Sequence, residues 1–149
     1  MKSRNLKPET SNPKPETFIW PVRVYYEDTD AGGVVYYANY LKFMERARTE
    51  WLRSLGFEQS TLSHDHNLVF VVRALAIEFL RPALFNDLLE AVVELIDVRG
   101  SLIEVAQTIR RGTLTLVTAE VKVACVNTQS FKPVRIPQLI LEKIAMRQA

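Results

Sequence analysis

One amphipathic segment followed only by strand-like segments narrows the folds open to this chain. Tyr40, Phe43, Met44, Ala47, Trp51 and Leu55 recur every three or four residues and share one stripe, which predicts a helix over 39–55. Lys42, Glu45, Arg46, Thr49 and Arg53 fill the other side, and Arg46 with Glu50 is spaced i,i+4 for an ion pair. Asn39 suits the N-cap and Gly56 the C′ position. A lone helix this apolar needs a sheet to lie against. Residues 68–80, 88–98, 102–111 and 114–126 supply it, being rich in Val, Ile and Phe. Arg99-Gly100-Ser101 and Arg111-Gly112-Thr113 are tight turns with no room for a crossover, so their flanking strands are antiparallel hairpins. Ahead of the helix, Val22, Val24 and Tyr26 alternate with Arg23, Tyr25 and Glu27 as a half-buried strand. The expected architecture is α+β, one long helix on an antiparallel sheet of about five strands. A short C-terminal helix is expected around 138–146. The sheet's other face still carries Val72, Ala74, Ala76 and Leu80, so a homo-oligomer is expected.

Residues 1–17 read differently. Met1 and Leu6 are their only sizeable apolar groups, they hold three of the seven prolines, and Lys-Pro-Glu-Thr occurs twice. Such a segment cannot bury enough apolar surface to offset chain entropy, so 1–17 is expected to be a disordered tail and 18–149 a single domain. The tail also holds the charge excess. The chain is +2 overall, and residues 18–149 carry fifteen groups of each sign. A neutral body argues against a nucleic-acid binder. No apolar run reaches the ~18 residues of a membrane span. The first residues lack the apolar core of a signal peptide, so a cytoplasmic location is expected.

Several chemistries lack their parts. There is no Gly-x-Ser-x-Gly elbow, no phosphate loop and no dinucleotide fingerprint. A single cysteine, Cys125, excludes an intrachain disulfide and a multi-thiolate zinc site. Its place in strand 114–126, on the face of Val117, Val121 and Val123, makes it a small hydrophobe. His64 and His66 flank Asp65 in a polar connector, read as a solvated loop without further metal ligands. No cofactor is expected. Any catalyst here must work with a carboxylate, backbone dipoles and tyrosines.

The run Glu27-Asp28-Thr29-Asp30-Ala31-Gly32-Gly33 places two carboxylates and two glycines between a strand and the apolar helix. A helix start offers unpaired N–H groups and a positive dipole end, which suit a developing oxyanion. A carboxylate just upstream could attack a carbonyl, with the resulting oxyanion held there. The same residues also read as Asx-turns with glycines at positive φ, a purely structural role.

The longer segment Tyr25-Tyr26-Glu27-Asp28-Thr29-Asp30-Ala31-Gly32-Gly33-Val34-Val35-Tyr36 resembles the signature of the 4-hydroxybenzoyl-CoA thioesterase branch of the hotdog superfamily. It is similar there to the Tol–Pal-associated acyl-CoA thioesterases. The resemblance continues through Glu45-Arg46-Ala47-Arg48-Thr49-Glu50 and Phe70-Val71-Val72-Arg73, and spans roughly 20–137. It implies a hotdog fold, in which a curved antiparallel sheet wraps the 39–55 helix. It also implies homodimers joined edge to edge, often paired again into homotetramers, with sites at the subunit interface. Asp30 takes the family's catalytic position and the Tyr37 N–H the oxyanion position, while Asp28 supports the turn. One departure stands out: the Tol–Pal-associated members usually carry His where this chain has Tyr37. A phenol, with an ordinary pKa of ~10, is no base near neutral pH.

The implied activity is hydrolysis of acyl-CoA to free acid and CoA, by a carboxylate acting as nucleophile or general base. Tyr36, Asn39 and Tyr40 would line the acyl pocket, Tyr40 equally serving as plain core, and Phe70 and Val71 would border it. Arg73, Lys132 and Arg135 are the candidates for the CoA phosphates. Glu45 and Arg48 fall within the family-like stretch and could orient the site, but a helix surface ion pair is the expected role. An acyl-carrier protein is the alternative carrier. A non-catalytic module that binds acyl-CoA or acyl-carrier protein is the alternative function, and a hotdog dehydratase is disfavoured because no His lies on the helix.

Overall fold

The computed structural model describes residues 17–148. The expected tail lies outside them apart from Thr17, which opens the first strand. In chain order the elements are β1 (Thr17–Arg23), α1 (Asn39–Ser54), α2 (Gln59–His66), β2 (Leu68–Phe79), β3 (Leu88–Arg99), β4 (Leu102–Arg111), β5 (Leu114–Asn127) and α3 (Gln138–Gln148). The strands form one sheet in the order β1-β3-β4-β5-β2, every neighbouring pair antiparallel. The two short Gly turns make the β3–β4 and β4–β5 hairpins, as their spacing requires.

The apolar stripe of α1 decides where the core lies. Tyr40, Phe43, Met44, Ala47, Trp51 and Leu52 are buried. They join the inward residues of the sheet, among them Leu89 and Val93 of β3, Ile103, Val105 and Ile109 of β4, and Val121 and Val123 of β5. Alternation along each strand puts these residues on one face. Each large apolar side chain taken fully out of water contributes about 1.5–3 kcal/mol. At the helix end Gly56 has φ +99°, its N–H reaches the Arg53 carbonyl at 2.9 Å, and the Phe57 N–H reaches that of Leu52 at 3.1 Å. This Schellman closure needs a left-handed residue at the expected C′ position.

Four local expectations are corrected. β1 stops at Arg23, and Tyr26–Asp28 is a 3-10 turn. Tyr26 therefore leaves the strand alternation and stacks in the open on Phe85, ring centroids 3.9 Å apart. His64 and His66 lie in the last turn of α2, not in a loop. Arg46 does not pair with Glu50: Glu50 takes Arg53 at 2.6 Å, and the Arg46 guanidinium lies 6.0 Å from the Phe43 ring centroid. Finally, Val72 faces inward. It pairs with Val123, and a register shift skips Arg73, so Leu75, Ile77 and Phe79 continue the inward row. The bulge residue Arg73 inverts the parity that a straight reading of β2 assumes. Val72, Leu75 and Phe79 on that row stay substantially exposed, because β2 is an edge strand that α1 covers only in part.

Tyr40 links helix and loop. Its ring is core, and its hydroxyl accepts the N–H of fully buried Ala83 at 2.9 Å. Burial pushes its pKa above the usual phenol value, so it stays protonated. Tyr40→Phe strands the Ala83 N–H, and urea unfolding should show a loss of about 1–3 kcal/mol.

Candidate active site

The junction between β1 and α1 is built around a buried carboxylate. Asp28 is 6% exposed. Its Oδ2 accepts the Tyr25 N–H at 2.8 Å and its Oδ1 accepts the Asn39 side-chain amide at 2.9 Å. Its carbonyl accepts the Tyr36 N–H at 2.8 Å. A buried charge needs such partners, and here they come from both ends of the loop. Asn39 is thereby turned inward. Ala38 rather than Asn39 occupies the N-cap, which replaces the capping expectation for Asn39.

Asp30 has the opposite setting. Its N–H donates to Val34 O at 2.9 Å and its carbonyl accepts the Gly33 N–H at 3.0 Å, closing a tight exposed turn. Gly33, at φ +80°, takes the left-handed position this turn demands. The carboxylate Oδ1 accepts the Gly32 N–H at 2.8 Å, and a Cβ on Gly32 would come within 3.2 Å of it. The second oxygen, Oδ2, has no protein partner among the described residues. The turn is held against the body by Val35, whose N–H donates to Ala83 O at 2.9 Å.

At the start of α1 the Tyr36 carbonyl takes the Asn39 N–H and the Tyr37 carbonyl takes the Tyr40 N–H. The N–H groups of Tyr37 and Ala38 have no protein acceptor among the described residues. They are the orphan donors at the positive end of the helix dipole. The Tyr37 ring is 61% exposed, tilted against Tyr36 and edge-on to Phe79 of β2 at 6.0 Å. One short segment thus presents an open carboxylate, two unclaimed N–H donors and exposed aromatic surface.

The other expected site residues are not brought to this junction within one chain. Phe70 and Phe79 stand nine residues apart on β2, ~30 Å along an extended strand. Val71 faces outward opposite Ala124, and Arg73 is exposed at the bulge. Lys132 is exposed after β5, its carbonyl accepting the Asn127 N–H at 3.0 Å beside the start of β2. Phe70 borders a cavity of about 160 Å³, walled by Val72, Ile103, Val105 and Val123 of the sheet and by Glu45, Arg48 and Thr49 of α1.

That cavity corrects the reading of Glu45 and Arg48 as an ion pair. Glu45 Oε2 accepts the Thr49 hydroxyl at 2.6 Å. Arg48 Nη1 donates to Gln107 Oε1 at 2.8 Å, and Gln107 Nε2 donates to Met44 O at 3.0 Å. Gln107 is 1% exposed on the inward face of β4. A polar residue at an inward parity position, between Val105 and Ile109, was the available sequence signal. Burial lowers the Arg48 pKa from its ordinary value, opposed by nearby Glu45. Cys125 is buried and its thiol is pushed up to about 11 by desolvation, which suits packing and not nucleophilic attack. No group of His, Cys, Asp and Glu among the described residues could hold a metal ion.

Residues 32–118 match the family described as the thioesterase superfamily. An acyl-CoA thioesterase, YbgC, of Haemophilus influenzae is 54% identical over 121 residues, 81% of this chain and 89% of that protein. An acyl-CoA thioester hydrolase, YbgC, of Escherichia coli O157:H7 is 47% identical over 125 residues, covering 83% and 92%. The crystal structure of a probable thioesterase from Bartonella henselae superposes with a TM-score of 0.79 at 40% identity, covering 82% of this chain and all of that one. A 4-hydroxybenzoyl CoA thioesterase shares the fold at 14% identity, with a TM-score of 0.81 over 86% of this chain and 98% of that one.

The Asp28–Asn39 link carries a direct test. Asn39→Ala leaves a buried carboxylate oxygen without its donor. Chemical denaturation should show a loss of about 1–3 kcal/mol, the ordinary cost of a stranded buried partner.

Proposed function

The chain belongs to the thioesterase superfamily and is an acyl-CoA thioester hydrolase of hotdog fold, and from that premise we propose that Asp30 is its acting carboxylate and the Tyr37 N–H its oxyanion donor. The observation that carries this reading is the open Asp30 carboxylate a few residues ahead of unclaimed N–H groups at the start of α1. The thioester carbonyl accepts the Tyr37 N–H, and the helix dipole stabilises the charge that develops on oxygen. Asp30 attacks the carbonyl carbon to give a mixed anhydride and CoA thiolate, or takes a proton from the water that attacks. A thiolate leaves readily, so neither route needs a histidine. The Tyr37 side chain takes no proton in this scheme and serves as an aromatic wall with Tyr36.

The acting unit in this reading is a homodimer joined along β2, able to pair again as a tetramer. One feature supports it. The inward row Val72, Leu75 and Phe79 of the edge strand is left substantially uncovered. Two-fold antiparallel pairing of β2 with its copy swaps strand ends. The Phe70 end of one protomer then lies beside Asp30 and Tyr37 of the other. Phe70 and Val71 would there border the acyl group, and Arg73 and Lys132 would face the CoA phosphates. The carrier in this reading is CoA; an acyl-carrier protein presents the same bond and remains the second carrier. The reading also places the protein in the cytoplasm; among the described residues no helix is long and apolar enough to cross a membrane.

Asp30→Asn keeps the turn's acceptor and removes the reacting charge. Thiol release from acyl-CoA should fall by about 10²–10⁴, with circular dichroism and melting temperature unchanged. Turnover at the wild-type rate would remove Asp30 from the mechanism. Light scattering should give a dimer or a tetramer, and a fully active monomer would overturn the shared site.

A further inference from the structure

The cavity beside Phe70 holds a cation, Arg48, that forms no ion pair among the described residues, although the Glu45 carboxylate lines the same cavity and acts on it electrostatically. Arg48 has a guanidinium with five N–H donors, and one bond is made, to Gln107. Glu45, the nearest carboxylate on α1, is engaged by Thr49. Gln107 is itself anchored on the Met44 carbonyl, so the Arg48–Gln107 pair is fixed to the sheet. Phe70, Val72, Val105 and Val123 make the sheet side of the cavity apolar, while Glu45, Thr49 and Gln59 line it beside Arg48. A half-buried guanidinium in such surroundings is poorly solvated and still rich in donors. Its complement is an oxygen acceptor delivered on an apolar stem. The cavity of about 160 Å³ matches the ~150 Å³ that accommodates a benzene ring. It therefore suits an acyl group of roughly six heavy atoms.

We propose that this cavity is the acyl subsite and that Arg48, held by Gln107, selects acyl groups whose distal end carries an oxygen acceptor. The inference rests on the thioesterase reading of Asp30 and on pairing through β2. Within one chain Arg48 lies eleven residues beyond Tyr37, about 16 Å along the helix, too far for an acyl group that fits so small a space. Antiparallel pairing of β2 brings the Phe70 wall of one protomer to the Asp30 junction of the other. Asp30 therefore acts on an acyl group seated in the other protomer's cavity, and specificity and chemistry come from different copies of the chain.

The test compares six-carbon acyl-CoAs ending in a methyl, a hydroxyl or a carboxylate. Wild type should favour one or both oxygen-ended substrates in kcat/KM. Arg48→Met keeps the stem and removes the donors. The preference over the methyl-ended substrate should fall about tenfold or more, the value of a charge-assisted hydrogen bond, and chiefly through KM. Arg48→Lys should restore part of it. A preference unchanged in Arg48→Met, or equal losses on all three substrates in both variants, would overturn the role. Co-expression of differently tagged Asp30→Asn and Arg48→Met chains tests the shared site. If the residues meet across the interface, the mixed oligomer contains one intact site and keeps the wild-type preference. If they meet within one chain, the only active site lacks Arg48 and the preference is lost. Full activity of the pure Asp30→Asn protein would sink the Asp30 assignment alone, because the Arg48 substrate ratio is measured independently of it.

Discussion

A buried carboxylate is costly unless every oxygen finds a donor, and Asp28 meets that demand with groups from both ends of the junction. It holds the turn start through the Tyr25 N–H and the helix start through the Asn39 amide. The five residues from Asp30 to Val34 are then closed on themselves by the Asp30–Val34 and Asp30–Gly33 bonds. With both ends pinned, the Asp30 carboxylate can only face outward, and the chain enters α1 with the Tyr37 and Ala38 N–H groups unclaimed. The two aspartates of one Asp-Thr-Asp run thus divide two tasks. One gives up its solvent to set geometry, and the other keeps its solvent, which is what the proposed reaction requires of it.

The second constraint is the edge of the sheet. One helix covers the inward rows of β3, β4 and β5 but only part of that of β2, leaving Val72, Leu75 and Phe79 substantially exposed. The bulge at Arg73 keeps Leu75 and Phe79 on the inward face, so the uncovered row is continuous in character along β2. An exposed edge strand twelve residues long is a template for pairing with another copy. The row it carries lies between the Asp30 junction at one end and a polar-tipped cavity at the other. The proposed association along this strand would satisfy the edge and bring the two ends together in one step.

Much of this was legible in the residues. Helical spacing from Tyr40 to Leu55, alternation in the later segments and two Gly-centred turns require a helix on an antiparallel sheet, and nothing in the packing overrode them. What was not legible depended on partners distant in sequence. Asn39 before an apolar run reads as a cap, and only the burial of Asp28 eleven residues earlier turns it inward. Arg48 on a helix reads as surface, and only the inward Gln107 of β4 draws it under the sheet. Val72 changes face because a bulge skips Arg73, a one-residue event that alternation cannot anticipate. Propensity and period report local choices, whereas the polar contacts of the site are long-range ones.

A tyrosine rather than a histidine at position 37 is consistent with this division of labour. In the proposed chemistry the backbone N–H at that position does the work, and a backbone donor does not depend on its side chain. The phenol ring is left free to pack edge-on against Phe79, which ties the helix start to the end of the pairing strand. A side chain that titrates near neutrality would make the junction sensitive to pH, whereas a tyrosine makes it sensitive to how β2 is seated. In the proposed dimer the carboxylate, the donor and the paired strand are therefore coupled through packing, and the reactive geometry would be complete only when the edge of the sheet is.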